Sequence, residues 1–208
     1  MKNPWLEIPL SDYESHMSLP EVAQAQLLAG IFSEHLAVHS PGSVAVAGCA
    51  GGNGFDRIDP AVTRRVVGVD LNGQYLDATR ARFGTQFKQL ELVEGDIQSP
   101  MVAFAPVDMV YAALVLEYGD AGVALGRMRG WLNPRGTLVT VVQLPASGLP
   151  AVTPSPFGSL NVLEAVMQFV APEQLRTIAE RNGLRAVSSA TRQTPSGKRF
   201  EIQQFQAG

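Results

Sequence analysis

The sequence predicts an α/β fold, a mostly parallel sheet with helices packed on both faces. Three observations carry that reading. Short runs of small and β-branched residues recur along the chain, as strands buried on both faces require. Helix-length segments separate them, and parallel strands need such crossovers. Several runs also stop at glycine or aspartate, as at Ala47-Gly48, Val69-Asp70 and Gly95-Asp96. Ligand-facing turns at carboxyl ends of strands use those residues.

The elements follow in order. From Leu19-Pro20-Glu21 to Ala37 the pattern predicts a helix, since Pro20 suits a first turn and Leu27, Leu28, Ile31, Phe32 and Leu36 form one apolar stripe. Strand one, from Ser43 through Ala47, runs into the loop Gly48-Cys49-Ala50-Gly51-Gly52-Asn53-Gly54. Glycine there permits positive φ and lets main-chain N–H groups approach a bound molecule. The helix after this loop is expected to be short, because Asp59-Pro60 interrupts it soon after Phe55. Strand two, Arg65 to Val69, ends in Asp70, and a helix runs from about Asn72 to Phe83 with Gly84 as its stop. Strand three is Leu90 to Val93, closed by Gly95-Asp96, and strand four is Val107 to Ala113.

A helix through Leu125, Met128 and Trp131 then ends at the turn Asn133-Pro134-Arg135-Gly136, which feeds strand five, Thr137 to Gln143. Leu144 to Gly158 is a long proline- and glycine-rich loop, a length that tends to be functional. Pro172 to Asn182 reads as a helix stopped at Gly183. Leu184 to Arg192 and Arg199 to Phe205 alternate around Pro195-Ser196-Gly197, as an antiparallel hairpin does.

Composition narrows the function classes. The 208 residues, 46% hydrophobic and 17% charged, suffice for one sizeable core. The net charge of -3, with basic residues only in pairs such as Arg64-Arg65 and Lys198-Arg199, gives no case for nucleic acid. No apolar run approaches the ~20 residues of a membrane helix. The start, Met1-Lys2-Asn3-Pro4-Trp5, lacks a secretory signal, so a cytoplasmic location is expected, with no membrane partner. A single cysteine, Cys49, excludes an internal disulfide and a cysteine-based zinc site. His35 and His39 have metal-pair spacing but no third ligand nearby, so no metal is expected.

The chemistry-bearing residues gather at one sheet edge: the glycine loop, Asp70, Asp96 and the end of strand four. A carboxylate after strand two can accept two hydrogen bonds from a ribose diol. One after strand three can accept from an exocyclic amine, with Leu71 and Ile97 flanking the base. Together they describe a nucleoside pocket.

At these positions the chain resembles the class I S-adenosylmethionine-dependent methyltransferases. The matching blocks are VAVAGCAGG, GVDLN, EGDI, VDMVYAALVLEY and WLNPRGTLV, covering residues 43 to 143 in order. The resemblance implies a Rossmann-like three-layer sandwich with a seven-stranded sheet, order 3-2-1-4-5-7-6, strand seven antiparallel. It implies S-adenosyl-L-methionine as cofactor, S-adenosyl-L-homocysteine as product, and transfer to a small-molecule acceptor by in-line displacement. The cofactor-binding residues it implies are Gly48, Cys49, Ala50, Gly51, Gly52, Asp70, Leu71, Asp96, Ile97, Ala112, Ala113 and Leu114. The chain 1–208 then reads as one domain, with 1–40 a helical lid segment and 144–170 a substrate-side lid insertion.

Two departures stand out. Val46 occupies the place where the family carries an acid, and Ala50 stands for the second loop glycine. The segment Asp12, Tyr13, Glu14 and His16 is a candidate to supply the missing contact. Candidates for a general base are His16, Glu117 and Tyr118, with a solvated helix N-terminus as the plainer reading of Glu117. Two other functions remain open at this stage. A nicotinamide-dependent oxidoreductase also pairs a glycine turn with an acid, although Ala50 and Asn53 break its G-x-G-x-x-G. A non-catalytic cofactor-binding protein is the other.

Overall fold

Alternation along the strands divides the core into two halves. In the computed structural model, which describes residues 3–208, β1 (Ser43–Ala47) sends Val44 and Val46 to one face and Ala45 and Ala47 to the other. All four are buried. The chain continues through β2 (Arg65–Asp70), β3 (Gln89–Glu94), β4 (Val107–Ala113), β5 (Leu132–Gln143), β6 (Leu184–Gln193) and β7 (Arg199–Ala207). The strands form one sheet of order β3-β2-β1-β4-β5-β7-β6. β1 to β5 pair in parallel, and β7 runs antiparallel to both β5 and β6. The implied topology is therefore observed. A nicotinamide-binding sheet has order 3-2-1-4-5-6 without that inserted antiparallel strand.

Helices cover both faces. α2 (Gln24–His39) and α3 (Gly73–Phe83) lie on the Val44 side, where Ile31, Phe32, Phe55 and Leu76 pack with Met109 and Tyr111. α4 (Ala121–Gly130) and α5 (Pro172–Arg181) lie on the other, where Leu125, Met128 and Leu175 pack with Val110 and Phe205. Each such side chain contributes about 1.5–3 kcal/mol on burial. Asn72 caps α3, its side chain accepting from the Gln74 N–H at 3.1 Å. Asp120 caps α4, accepting from Gly122 and Val123.

Three local expectations are corrected. The N-terminal segment folds a helix of its own, α1 (Leu10–Ser18), and the chain breaks at Leu19–Ala23 before α2. Pro20 sits in that break, not in a first turn. After the glycine loop there is no α-helix but a single 3-10 turn, Phe55–Arg57. Asn133–Gly136 lies within β5 as a bulge, because Val107 pairs with Leu132 and Met109 already pairs with Thr137, while Arg135 takes φ 62°. Met1 and Lys2, the first residues of the 1–40 segment, lie outside the described residues.

The segments before β1 and after β5 meet over the carboxyl ends of the parallel strands. Ile8 packs with Leu160 and Leu163 from a 3-10 stretch, Gly158–Ala165, and Trp5, Tyr13 and Phe157 join them. The Ser159 hydroxyl donates to Asp12 Oδ2 at 2.6 Å. Among the described residues no helix is long and apolar enough to cross a membrane.

Candidate active site

The glycine loop is suspended from the end of β2. Gly48 and Cys49 donate their N–H groups to the Val69 carbonyl at 2.8 and 3.0 Å, and Ala50 donates to Asp70 Oδ2 at 2.8 Å. Asp70 Oδ1 accepts from the Asn72 N–H at 2.9 Å, so each oxygen keeps a lone pair. Thr79 donates to the Ala50 carbonyl at 2.8 Å and fixes the loop's other side to α3. Gly48, Gly52 and Gly54 take φ of 70°, 92° and 78°, and Ala50 follows at 47° despite its Cβ. Burial raises the Asp70 carboxyl, while the N–H groups of Asn72 and Ala50 act the other way.

Above this loop opens a cleft with ≈ 770 Å³ of empty space, mouth included. Gly48, Ala50, Asp70, Leu71, Asp96, Ile97, Ala113 and Leu114 line it, as the resemblance implies. Asp96 Oδ1 accepts from the Gln98 N–H at 2.8 Å, leaving Oδ2 with only a 3.5 Å contact from the Gln98 amide. Two carboxylates with free acceptor positions thus line one cleft together with Leu71 and Ile97.

Four implied residues do not reach the cleft wall. Cys49 is fully buried in the core, where burial pushes its thiol up. Gly51 faces Leu10, Glu14 and Arg82, and Gly52 faces the Phe83 ring. Ala112 points to the α4 face because strand alternation turns it away from Ala113.

A second cavity adjoins the cleft, lined by His16, Met17, Glu117, Gln143, Thr153, Leu160, Leu163 and Lys198 among others. Trp5, Tyr13, Leu114 and Tyr118 line both spaces and form their common wall. Leu114 holds φ 53° there, a left-handed conformation that costs about 1–3 kcal/mol. All three base candidates come together at this cavity. Glu117 is no solvated helix end: it is 1% exposed, Oε1 accepts from the Gln143 N–H at 2.8 Å, and Oε2 has no partner. Burial raises its carboxyl to about 7. His16 is buried with Nδ1 unpartnered, and burial followed by the Lys198 charge lowers its pKa. Burial also pushes the Tyr118 hydroxyl up.

Of the four residues considered as substitutes for the missing acid, only Tyr13 lines the cleft. Its hydroxyl accepts from Asn53 Nδ2 at 2.9 Å. Glu14 is paired with Arg82, which also donates to the Gly51 carbonyl at 3.1 Å, so it clamps the loop from outside. Asp12 is held by Ser159. Val46 is 3% exposed and lines a neighbouring hollow with Phe32 and Tyr111.

Sequence reasoning missed Tyr75, Gln98 and Lys198. Tyr75 stacks on Tyr13 at 6.4 Å between ring centroids and donates to the Ile8 carbonyl at 2.8 Å. A mid-helix tyrosine carries no signal of that contact. Gln98, two residues past Asp96 on the same turn, was the one with a positional clue.

The sheet order and the acid-and-glycine rim define the class I S-adenosylmethionine-dependent methyltransferase fold. Residues 46–140 match the family described as methyltransferase domain. No curated protein matches the sequence. Among solved structures, magnesium protoporphyrin IX methyltransferase from Synechocystis PCC 6803, with bound S-adenosylhomocysteine, aligns at TM-score 0.67 and 16% identity, over 90% of this chain and 84% of that one. The N-methyltransferase NodS from Bradyrhizobium japonicum WM9, in complex with the same molecule, aligns at 0.63 and 19%, over 100% and 93%. The cyclase SpnF aligns at 0.67 and 13%, over 89% and 82%.

Proposed function

We propose that this chain transfers a methyl group from S-adenosyl-L-methionine to a small-molecule acceptor held in the second cavity. The observation that carries the proposal is the shared wall, which brings a cleft suited to adenosine against a second cavity containing a buried, unsatisfied carboxyl. When bound, the cofactor supplies an already activated methyl on a sulfonium. The protein's part is then alignment and exclusion of water. Asp70 accepts from the ribose diol, Asp96 Oδ2 from the adenine amine, and Leu71 and Ile97 flank the base. Trp5, Tyr13, Tyr118 and Leu114, which line both spaces, stand between cofactor and acceptor.

Glu117 Oε2 is the base for an acceptor that carries a proton on its nucleophilic atom. A carboxyl raised to about 7 matches the pH of a cytoplasmic enzyme, where a base near neutrality works best. Within the segments 1–40 and 144–170, α1 with the stretch just before it and the 3-10 stretch Gly158–Ala165 act as the two halves of a lid, while α2 stays in the core layer.

Calorimetry with S-adenosylhomocysteine and with NADH tests the cofactor, with heat expected only for the first. A labelled methyl donor, mixed with a small-molecule cell extract, tests the transfer. Label is expected in the small-molecule fraction with wild type and much less with Glu117→Gln. Binding without any transfer supports a second reading, a cofactor-holding protein without methyl transfer, which Val46 at the acid's place favours.

A further inference from the structure

We propose that the second cavity is built for an acceptor with a carboxylate, anchored at Lys198 together with His16 and Thr153. The inference rests on the reading above for the guest's role as acceptor, but the anion subsite stands on its own geometry.

Lys198 is 4% exposed, and its amine donates to the Ala151 carbonyl at 2.7 Å. Gln143 Nε2 donates to the same oxygen at 2.9 Å, so that carbonyl is already shared. Among the described residues Lys198 makes no ion pair. An ammonium has three N–H donors, and a buried one needs a counter-charge. At the same cavity His16 Nδ1 and Thr153 Oγ1 are buried without hydrogen-bond partners. Native proteins leave few such atoms, and three under-satisfied groups facing one space point to a missing partner. A carboxylate fits all of them. Its two oxygens accept at about four positions, enough for ammonium, hydroxyl and imidazole N–H together.

The other charged group on this wall is Glu117. Its Oε1 is committed to the Gln143 N–H, and it makes no ion pair with Lys198 among the described residues. Burial raises its carboxyl to about 7, so near neutrality Glu117 repels an incoming anion less than an ordinary carboxylate does and still has an ionised fraction to act as base. Burial holds Lys198 down at about 8, a shift that a counter-ion on its amine reverses, and burial with the Lys198 charge lowers His16, which therefore meets the guest as a neutral imidazole. Met17, Val152, Leu160, Leu163 and Met167 make much of the remaining wall apolar, with the amides of Gln24 and Gln143 among them. The guest is therefore a compact, mainly apolar monocarboxylate.

The chain's lysines are Lys2, Lys88 and Lys198, so a protein isotope-labelled at lysine Cε gives readily assigned signals, with exposed Lys88 as control. Phenylacetate and octanoate are titrated against their neutral amides, with and without S-adenosylhomocysteine. The carboxylates are expected to shift the Lys198 signal and raise its titration midpoint by about one unit, while the amides leave both unmoved. Lys198→Met is expected to weaken the carboxylates about tenfold or more and leave the amides and S-adenosylhomocysteine unchanged. Carboxylates that fail to bind at millimolar concentration, or that bind no better than the amides, overturn the proposal, as does an unresponsive Lys198. If carboxylates move Lys198 while S-adenosylhomocysteine gives no heat, the methyl-transfer reading falls and the anion subsite stays.

Discussion

Asp70 holds the Ala50 and Asn72 N–H groups before any ligand arrives, so the rim is organised in advance. Hydrogen bonds to a charged group contribute about 1.5–3 kcal/mol each. Asp70→Asn keeps the shape but loses the charge and one acceptor, and calorimetry is expected to find S-adenosylhomocysteine bound roughly 10–100-fold more weakly. Gly52 makes a steric demand instead. At φ 92°, a Cβ would stand 2.5 Å from the Phe83 ring. Gly52→Ala is therefore expected to cost about 2–4 kcal/mol in urea unfolding, from left-handed strain and overpacking. Glu117 adds a pH dependence. Its carboxyl lies near 7 when folded against 4.5 as the ordinary value. Below the lower value both states are protonated and the group contributes nothing. Between the two, the unfolded chain has released its proton and the folded chain has not, so stability falls as pH rises through this window. The loss between pH 5 and pH 8 is about 2–3 kcal/mol. Glu117→Gln is expected to abolish that slope, and equal slopes in the two proteins would refute the buried acid.

At the scale of elements, the N-terminal segment is fastened by separate ties. Asn72 Nδ2 donates to the Trp5 carbonyl at 2.9 Å, Tyr75 to that of Ile8, and Arg82 pairs with Glu14. The last is largely exposed and is worth under about 1 kcal/mol. The Tyr75 bond is buried, so Tyr75→Phe is expected to cost about 1 kcal/mol, and to speed hydrogen exchange over residues 3–18 while leaving the sheet protected. Uniform exchange changes would mean that the segment opens only with the whole domain. The strands of this fold were legible because burial on both faces forces continuous runs such as Val44–Ala47 and Val66–Val69. α1 was not, since Ser11-Asp12-Tyr13-Glu14-Ser15 offers no apolar stripe and its order comes from tertiary contacts. The 3-10 turn at Phe55 was half legible: Asp59-Pro60 announced an early end but could not exclude a first helical turn. The rim acids were readable from their places after β2 and β3. Lys198 was not, because nothing local tells a hairpin lysine that a loop some 47 residues away will cover it.

Across the whole molecule, the two segments outside the parallel strands close over one sheet edge, and the cleft lies between that edge and the segments. A ligand in the cleft therefore touches the N-terminal segment through Trp5 and Tyr13, the β2 and β3 ends through Asp70 and Asp96, and the β4 end through Leu114. Binding to the folded chain alone stabilises it by mass action, by about 2.7 kcal/mol at a hundredfold excess over Kd. For a chain of this size that corresponds to a rise in Tm of roughly 5–10 °C. S-adenosylhomocysteine is expected to produce that rise, growing with the logarithm of its concentration, and NADH to produce none. Because the ligand bridges pieces that are otherwise joined by few hydrogen bonds, its second signature is local. Exchange should slow most over residues 3–18 and around Leu114, and least at β6, which forms the far edge of the sheet. A Tm rise without that pattern would place the ligand elsewhere on the molecule, and no rise at all would remove the cofactor from the cleft.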